Sequence, residues 1–174
     1  MLASISNYSF KQLSSQSCKK SKNIIIDSFS YHPIRGVREK EILAQTFTDA
    51  YLGNTKITLI SDERKDKDSK VGLIALSNGS LELDGKALPA VIIDYVFVGY
   101  ANRGKDNESD VKVSEMLLYY AIQRAIEISK IVGVRYLILR PDGGKENEKL
   151  VSFYESMEFR YMTDKHEWMY LKLT

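Results

Sequence analysis

The sequence predicts an α/β chain built on one central sheet that mixes parallel and antiparallel strands (a mixed α+β sheet). Three observations carry this. A long apolar run over residues 91–98 reads as a buried strand. The longest apolar-periodic stretch, about 111–132, reads as a helix, and a short apolar strand over 136–139 follows it. A helix of that length between two strands has the form of a βαβ crossover, so those strands are expected to be parallel. Upstream, two β-branched runs flank a charged turn, the pattern of an antiparallel meander. At 174 residues, with no internal repeat or linker-like shift in composition, one domain is expected.

Residues 8–13 alternate loosely and are expected to form the first strand. Cys18-Lys19-Lys20-Ser21-Lys22 reads as a polar, basic connector. Residues 23–29 (NIIIDSF) are too short for periodicity to separate a buried helix from a strand. Tyr31-His32-Pro33 ends them, because proline restricts its predecessor and removes a donor. Residues 37–52 read as an amphipathic helix, with Leu43, Phe47, Ala50 and Tyr51 on one side and Gly53-Asn54 as its stop. Residues 55–61 and 71–77 form strands around a solvated, charged turn over 62–70. Asn78-Gly79 and Asp84-Gly85 are turn dipeptides. Gly133 is expected at C′ of the long helix. Pro141-Asp142-Gly143-Gly144 turns the chain into a second helix over 145–157, with Leu150, Phe153 and Met157 as its apolar stripe. Residues 159–162 and 168–173 close the chain as a hairpin, with His166 exposed in its turn.

The 25 basic and 23 acidic residues leave a net charge of +2, too balanced to argue nucleic-acid binding from charge alone. One cysteine, Cys18, excludes an internal disulfide, and with only two histidines no metal site is expected. The first residues lack the apolar core of a signal peptide, and no apolar run approaches the ~20 residues of a membrane span. A cytoplasmic protein without a membrane partner is expected. A strand that ends in a polar loop and feeds a helix is a common phosphate site, since the helix start offers unpaired N–H groups and a positive dipole end. Here that loop carries Arg103-Gly104.

Three motifs in order resemble the GCN5-related N-acetyltransferase superfamily. VFVGYANRGK over 96–105 is similar to the family's strand and pyrophosphate loop, L-x-V-x-P-x-Y-R-G-K-G. Met116-Leu117-Leu118 and the following AIQRAIE look like the helix after that loop. Asn147, Leu150, Phe153-Tyr154 and Phe159 resemble the family's N-x-x-A-x-x-F-Y-x-x-x-G-F. Together these motifs span most of residues 88–160; the N-terminal third agrees only in element order.

The resemblance implies a GNAT-like acyl-CoA N-acyltransferase fold, its sheet splayed between the fourth and fifth strands, with helices on both faces. Acetyl-CoA is then the co-substrate, lying in that opening. Its pantetheine arm would add to the fourth strand near Phe97 and Val98, a β-augmentation with a cofactor in place of a peptide. Its pyrophosphate would sit on the loop of Arg103, Gly104 and Lys105 and on the helix start, and Asn147 would bond to it at the mouth. Tyr154 would be the general acid that protonates the leaving thiolate, since a phenol of pKa ~10 is protonated at neutral pH. Asp94, in the fourth strand, stands equally as a general base acting through water and as a structural carboxylate.

The chain departs from the pattern at two glycines. Asp106 replaces the second loop glycine and an insertion follows it, while Glu158 replaces the glycine before the final phenylalanine. Acidic groups near a pyrophosphate are unfavourable unless they point away. The insertion instead places Lys105 or Lys112 for phosphate, with the helix N–H groups around Lys112, Val113 and Ser114 doing the cradling. The activity implied is acetyl transfer to a primary amine by direct attack. Leu88-Pro89-Ala90-Val91, Val132-Gly133-Val134-Arg135 and Met169-Tyr170-Leu171 look like the branch of toxin–antitoxin acetyltransferases acting on aminoacyl-tRNA. That branch implies tRNA and antitoxin partners and a homodimer, with Lys19, Lys20, Lys22, Arg140 and Lys145 contributing positive surface. A non-catalytic binding module of the same fold is the alternative that Asp106 and the insertion favour.

Overall fold

The structure, a computed structural model, describes residues 7–65, 69–104, 112–162 and 167–174. Its elements follow the expected order: β1 (Tyr8–Gln12), α1 (Ser15–Ser28), α2 (Gly36–Tyr51), β2 (Lys56–Asp62), β3 (Lys70–Leu83), β4 (Lys86–Val98), α3 (Val113–Ser129), β5 (Tyr136–Leu139), α4 (Glu148–Ser156), β6 (Arg160–Tyr161) and β7 (Met169–Lys172). The strands form one seven-stranded sheet in the order β1-β2-β3-β4-β5-β7-β6. The β4–β5 pair is parallel, as the crossover predicts, whereas β1–β2, β5–β7 and β6–β7 are antiparallel. The chain divides into two compact units, Met1–Ala75 with Tyr95–Tyr120 and Leu76–Asp94 with Ala121–Thr174.

In the first unit the expected basic connector is helical. Residues 18–22 belong to α1, which starts at an N-cap where the Ser14 Oγ accepts from the Ser17 N–H at 3.1 Å. Lys19 and Lys20 are exposed and the half-buried Lys22 donates to the Thr48 Oγ1 of α2 at 3.3 Å, while Cys18, Ile25 and Ile26 turn inward and Phe29 caps the helix. This also settles residues 23–29 as the second half of a helix. α2 buries Leu43, Thr46, Phe47 and Ala50. Tyr51, expected on that stripe, is 37% exposed; Thr46 takes the inner position because its hydroxyl donates to the Ile42 carbonyl at 2.8 Å. These helices pack on Ile57, Leu59, Leu73, Ala75 and Phe97 of the sheet. α3 meets the other face: Tyr120 stacks on Phe10 at 4.7 Å and lies 3.2 Å from the Thr58 hydroxyl.

In the second unit, β3 runs straight through Asn78-Gly79, which is not the turn its composition suggests. Gly79 instead admits a close neighbour, since a Cβ there would lie 2.4 Å from Ile92 Cδ1. The β3–β4 turn is Asp84-Gly85, both at positive φ (50° and 71°), the backbone that a two-residue hairpin requires. The core gathers Leu81, Ala90, Ile138 and Met162, with Leu83, Ile92, Tyr136, Trp168 and Tyr170 packed against it. α3 ends at Ser129, four residues before Gly133, which lacks a positive φ and is not its C′ residue.

Candidate active site

The site is built on β4. Its register with β5 runs from Ala90↔Tyr136 to Ile93↔Leu139, whereas β4 itself continues to Val98. At its end the Gly99 N–H donates to the Val71 carbonyl at 2.8 Å. Backbone groups of alternate residues point to opposite edges of a strand. Those of Gly99 and Phe97 therefore face β3, and those of Val96 and Val98 face the opposite edge. Gly72 agrees, because a Cβ there would stand 2.4 Å from the Phe97 carbonyl oxygen. The Phe97 ring is buried against Phe29, Tyr31 and Tyr95 at 5.0, 5.7 and 6.2 Å. Phe97 is thus a core residue whose backbone serves β3. Val98 and Val96 have their backbone groups on the opposite edge of β4, a pairing that strand parity alone would give.

After β4 the chain makes a short 3-10 turn, Tyr100–Asn102. Its amides are already engaged. Tyr100 N–H donates to the Ser30 carbonyl, Asn102 N–H to the Gly99 carbonyl and Arg103 N–H to the Tyr100 carbonyl, at 2.8, 2.8 and 3.2 Å. Ala101 N–H donates to the Ser30 Oγ at 2.8 Å. Arg103 is equally committed: its Nε donates to the Val98 carbonyl at 2.8 Å and its NH1 to Glu39 Oε1 at 2.7 Å. The guanidinium also lies over the Phe97 and Tyr100 rings. Burial raises the Glu39 carboxyl, but the Arg103 and His32 hydrogen bonds with the Arg103 and Arg35 charges outweigh it and hold its pKa below the ordinary value. Arg103 therefore pins the loop to α2. Gly104 follows at φ 62°, and Lys105, Asp106 and the insertion lie outside the described residues.

The helix start offers what the loop does not. The Lys112 carbonyl accepts the first bond of α3, from the Met116 N–H at 3.1 Å. The N–H groups of Val113, Ser114 and Glu115 thus have no intrahelical acceptor. Lys112 is exposed, Ser114 half-buried and Val113 buried.

In the second unit, Tyr154 is the buried residue of α4, 8% exposed. Its position is set from both ends of its helix. At the start, Asn147 Oδ1 accepts from the Leu150 N–H at 3.3 Å, and its Nδ2 donates to the Asp142 carbonyl at 3.1 Å. Gly143 and Gly144, at φ 81° and 61°, carry the chain into that cap. At the end, the Phe159 N–H reaches back to the Tyr154 carbonyl and the Glu158 N–H to the Glu155 carbonyl, at 3.1 and 3.0 Å. These are the two bonds of a Schellman motif, with Glu158 as its left-handed residue at φ 71°. The Phe159 and Tyr154 rings touch edge to face at 6.1 Å. Burial, assisted by the Asp142 charge, pushes the Tyr154 phenol up to about 12, so it is neutral at physiological pH. Among the described residues no hydrogen bond holds its hydroxyl. Asp94 is exposed on β4 and accepts from the Ser77 Oγ at 2.9 Å. Among the described residues, no group of three or more His, Cys, Asp and Glu is arranged to hold a metal, and no helix is long and apolar enough to cross a membrane.

No protein-family model and no curated protein sequence matches the chain. Solved structures do. AtaT complexed with acetyl-methionyl-tRNAfMet aligns at 13% identity over 95% of this chain and 94% of that one, with a TM-score of 0.72. AtaTR bound with AcCoA aligns at 13% identity over 96% and 94%, with a TM-score of 0.71. A tyrosine-to-phenylalanine mutant of KacT aligns at 15% identity over 95% of each chain, with a TM-score of 0.68. At such identities the likeness is one of fold, and the fold of this chain is that of the GCN5-related N-acetyltransferases.

Proposed function

We propose that this protein is an acetyl-CoA-dependent N-acetyltransferase. The observation that carries the reading is the fold likeness, over 96% of the chain, to AtaTR solved with AcCoA bound. The residues present fit such a ligand. In the first unit, Val96 and the Val98 N–H offer backbone groups on the β4 edge, and the α3 start offers amides with no intrahelical acceptor beside the exposed Lys112; in the second unit, Tyr154 offers a neutral hydroxyl. Arg103 fixes the loop after β4, and Asn147 fixes the α4 start. Acetyl-CoA supplies an activated thioester. A neutral amine attacks its carbonyl carbon, the C–S bond breaks, and the amine proton leaves to a base, for which Asp94 or a water beside it is the candidate.

Tyr154 donates its O–H to the departing sulfur. A phenol at about 12 is a weaker acid than an ordinary thiol of ~8.5, a gap of roughly 3.5 pH units or about 5 kcal/mol for complete transfer. Its contribution is therefore a hydrogen bond to the developing thiolate, with the proton crossing late, as the amine proton is lost.

A more specific acceptor is favoured by one observation: AtaT has been solved with acetyl-methionyl-tRNAfMet, and with the C-terminus of the antitoxin AtaR. On that reading the acceptor amine belongs to an aminoacyl-tRNA and an antitoxin is a partner. Titration of acetyl-CoA by calorimetry, followed by acetyl transfer to charged tRNA and to small amines, tests both steps. Micromolar binding with tRNA acetylation supports the full reading. Binding with small-amine acetylation alone supports the coarser one. No binding at high micromolar coenzyme overturns both and leaves a non-catalytic module. Light scattering of the same sample decides whether the chain is a homodimer.

A further inference from the structure

The loop after β4 is held by two residues of the N-terminal third, Ser30 and Glu39. Between them His32 is the centre of the connection from α1 to α2. Its Nδ1 accepts the Ile34 and Arg35 N–H groups at 3.1 and 3.2 Å. Its carbonyl accepts the Gly36 N–H at 2.8 Å. Pro33 has no N–H, so every amide from His32 to the first residue of α2 ends on His32. Arg35, the N-cap residue of α2, makes no side-chain cap bond, and the imidazole takes that place. Two N–H donors aimed at Nδ1 leave it without a proton, so the proton of the ring is on Nε2.

His32 also reaches the end of β4. Its backbone N–H donates to Glu39 Oε2 at 3.1 Å. The other oxygen, Oε1, takes Arg103 NH1 at 2.7 Å, and Arg103 Nε donates to the Val98 carbonyl at 2.8 Å. Glu39 thus gives one oxygen to each side, and its aim at Arg103 depends on where the connection holds the His32 N–H. The His32 ring meets the Tyr100 ring edge to face at 5.2 Å, a second contact with the loop. We propose that His32 is a positioning residue for coenzyme binding: its Nδ1 closes the α1–α2 connection, and through Glu39 and Arg103 that connection fixes the end of β4, where the Val98 N–H is offered to the arm of acetyl-CoA. This rests on the acetyl-CoA reading above. The role belongs to an acceptor at this position, which substitution can separate from the ring. Asparagine keeps an oxygen that can take amides two and three residues ahead. Phenylalanine keeps a ring and loses the acceptor.

Calorimetric titration of acetyl-CoA, steady-state kinetics and thermal melting of wild type, His32→Phe, His32→Asn and Glu39→Gln test the proposal. Ser14→Ala is the control, because it removes a cap bond of the same kind at the opposite end of α1. His32→Phe is expected to raise Kd and KM for acetyl-CoA about tenfold while kcat stays within about twofold. Glu39→Gln, whose amide keeps only one accepting oxygen, should raise both about threefold. His32→Asn stays close to wild type, and Ser14→Ala melts lower with KM unchanged. Long-range proton–nitrogen NMR spectra of the wild type should show the His32 proton on Nε2. A proton on Nδ1 overturns the proposal, as does a His32→Asn variant as impaired as His32→Phe. Wild-type binding that His32→Phe and Glu39→Gln leave unchanged overturns it too, with the acetyl-CoA reading left standing. If His32→Phe does not fold, Glu39→Gln decides in the same terms. Absence of wild-type binding overturns the acetyl-CoA reading, and this role with it.

Discussion

Glu158 holds a left-handed backbone, φ 71°, at the residue where the resembling family carries glycine. The cost can be worked from the motif around it. An L-residue in this region is strained by about 1–2 kcal/mol relative to its ordinary conformations, and glycine escapes that strain but loses about 0.5–1 kcal/mol more backbone entropy on folding. Glu158→Gly is therefore expected to stabilise the protein by about 0.5–1 kcal/mol, a rise in melting temperature of roughly 1–4 °C for a chain of this size. Glu158→Val, whose branched Cβ tolerates positive φ least, should destabilise by about 1–2 kcal/mol. The two bonds at stake position Tyr154 directly, because one of them ends on its carbonyl. Glu158→Val should accordingly lower kcat more than it raises KM for acetyl-CoA, while Glu158→Gly keeps both. Urea denaturation with steady-state kinetics on the three proteins is the assay. A valine variant as stable as wild type, or a glycine variant less stable by more than 1 kcal/mol, would refute the reasoning.

Tyr154→Phe removes the hydroxyl and keeps the buried ring, so kcat should fall by about two orders of magnitude with the fold retained. With this phenol near 12, the wild-type rate should rise with pH as the acceptor amine deprotonates and show no decline from Tyr154 below about pH 10; a pH–rate profile decides. Tyr154 also links folding to pH. Its folded pKa exceeds the unfolded one, so the stability it contributes is complete below about pH 10 and is lost as pH rises towards 12, which alkaline denaturation would register. Glu39 has the opposite sign. Its folded pKa is depressed, so its contribution is present above the unfolded value and disappears as pH falls through the folded one. Glu39→Gln should flatten acid denaturation in that window and cost about 1–2 kcal/mol at neutral pH, after allowance for the partial exposure of Arg103. Gly72→Ala should destabilise by about 2 kcal/mol or more, since its methyl would meet the Phe97 carbonyl oxygen at 2.4 Å, a backbone atom that cannot turn aside.

Element order and the parallel β4–β5 pair were legible because apolar runs and a crossover-length helix constrain topology strongly. Local composition was less dependable where packing overrode it. Lysines at 19, 20 and 22 disguised the outer face of α1, whose inner face needs only Cys18, Ile25 and Ile26 at helical spacing. Asn78-Gly79 carries turn chemistry, yet the glycine is explained by Ile92 crossing over it in the sheet. Asp84-Gly85 shows the same dipeptide class in a true turn. What separates the two is a side chain on a neighbouring strand, which no local window contains.

The candidate site was legible in the same uneven way. The motif resemblance around Phe153-Tyr154 singled out Tyr154, and strand parity, once the facing edge is known, assigns the backbone of Val96 and Val98 to one side and that of Phe97 to the other. The loop is where likeness to a motif and physical role part company. Arg103-Gly104 stands where the family pattern places a phosphate loop, but Ser30, on the segment between α1 and α2, accepts two of its amides, and Glu39, on α2, takes its arginine. Both partners lie in the N-terminal third, where the resemblance holds only in element order. A loop whose amides are satisfied from within gains order and loses anion-binding capacity, because each amide has one proton to donate. If a phosphate binds here, its donors must come from groups left over by that arrangement. Among the described residues, the amides at the α3 start that have no intrahelical acceptor, and the exposed Lys112 beside them, are the candidates for that role.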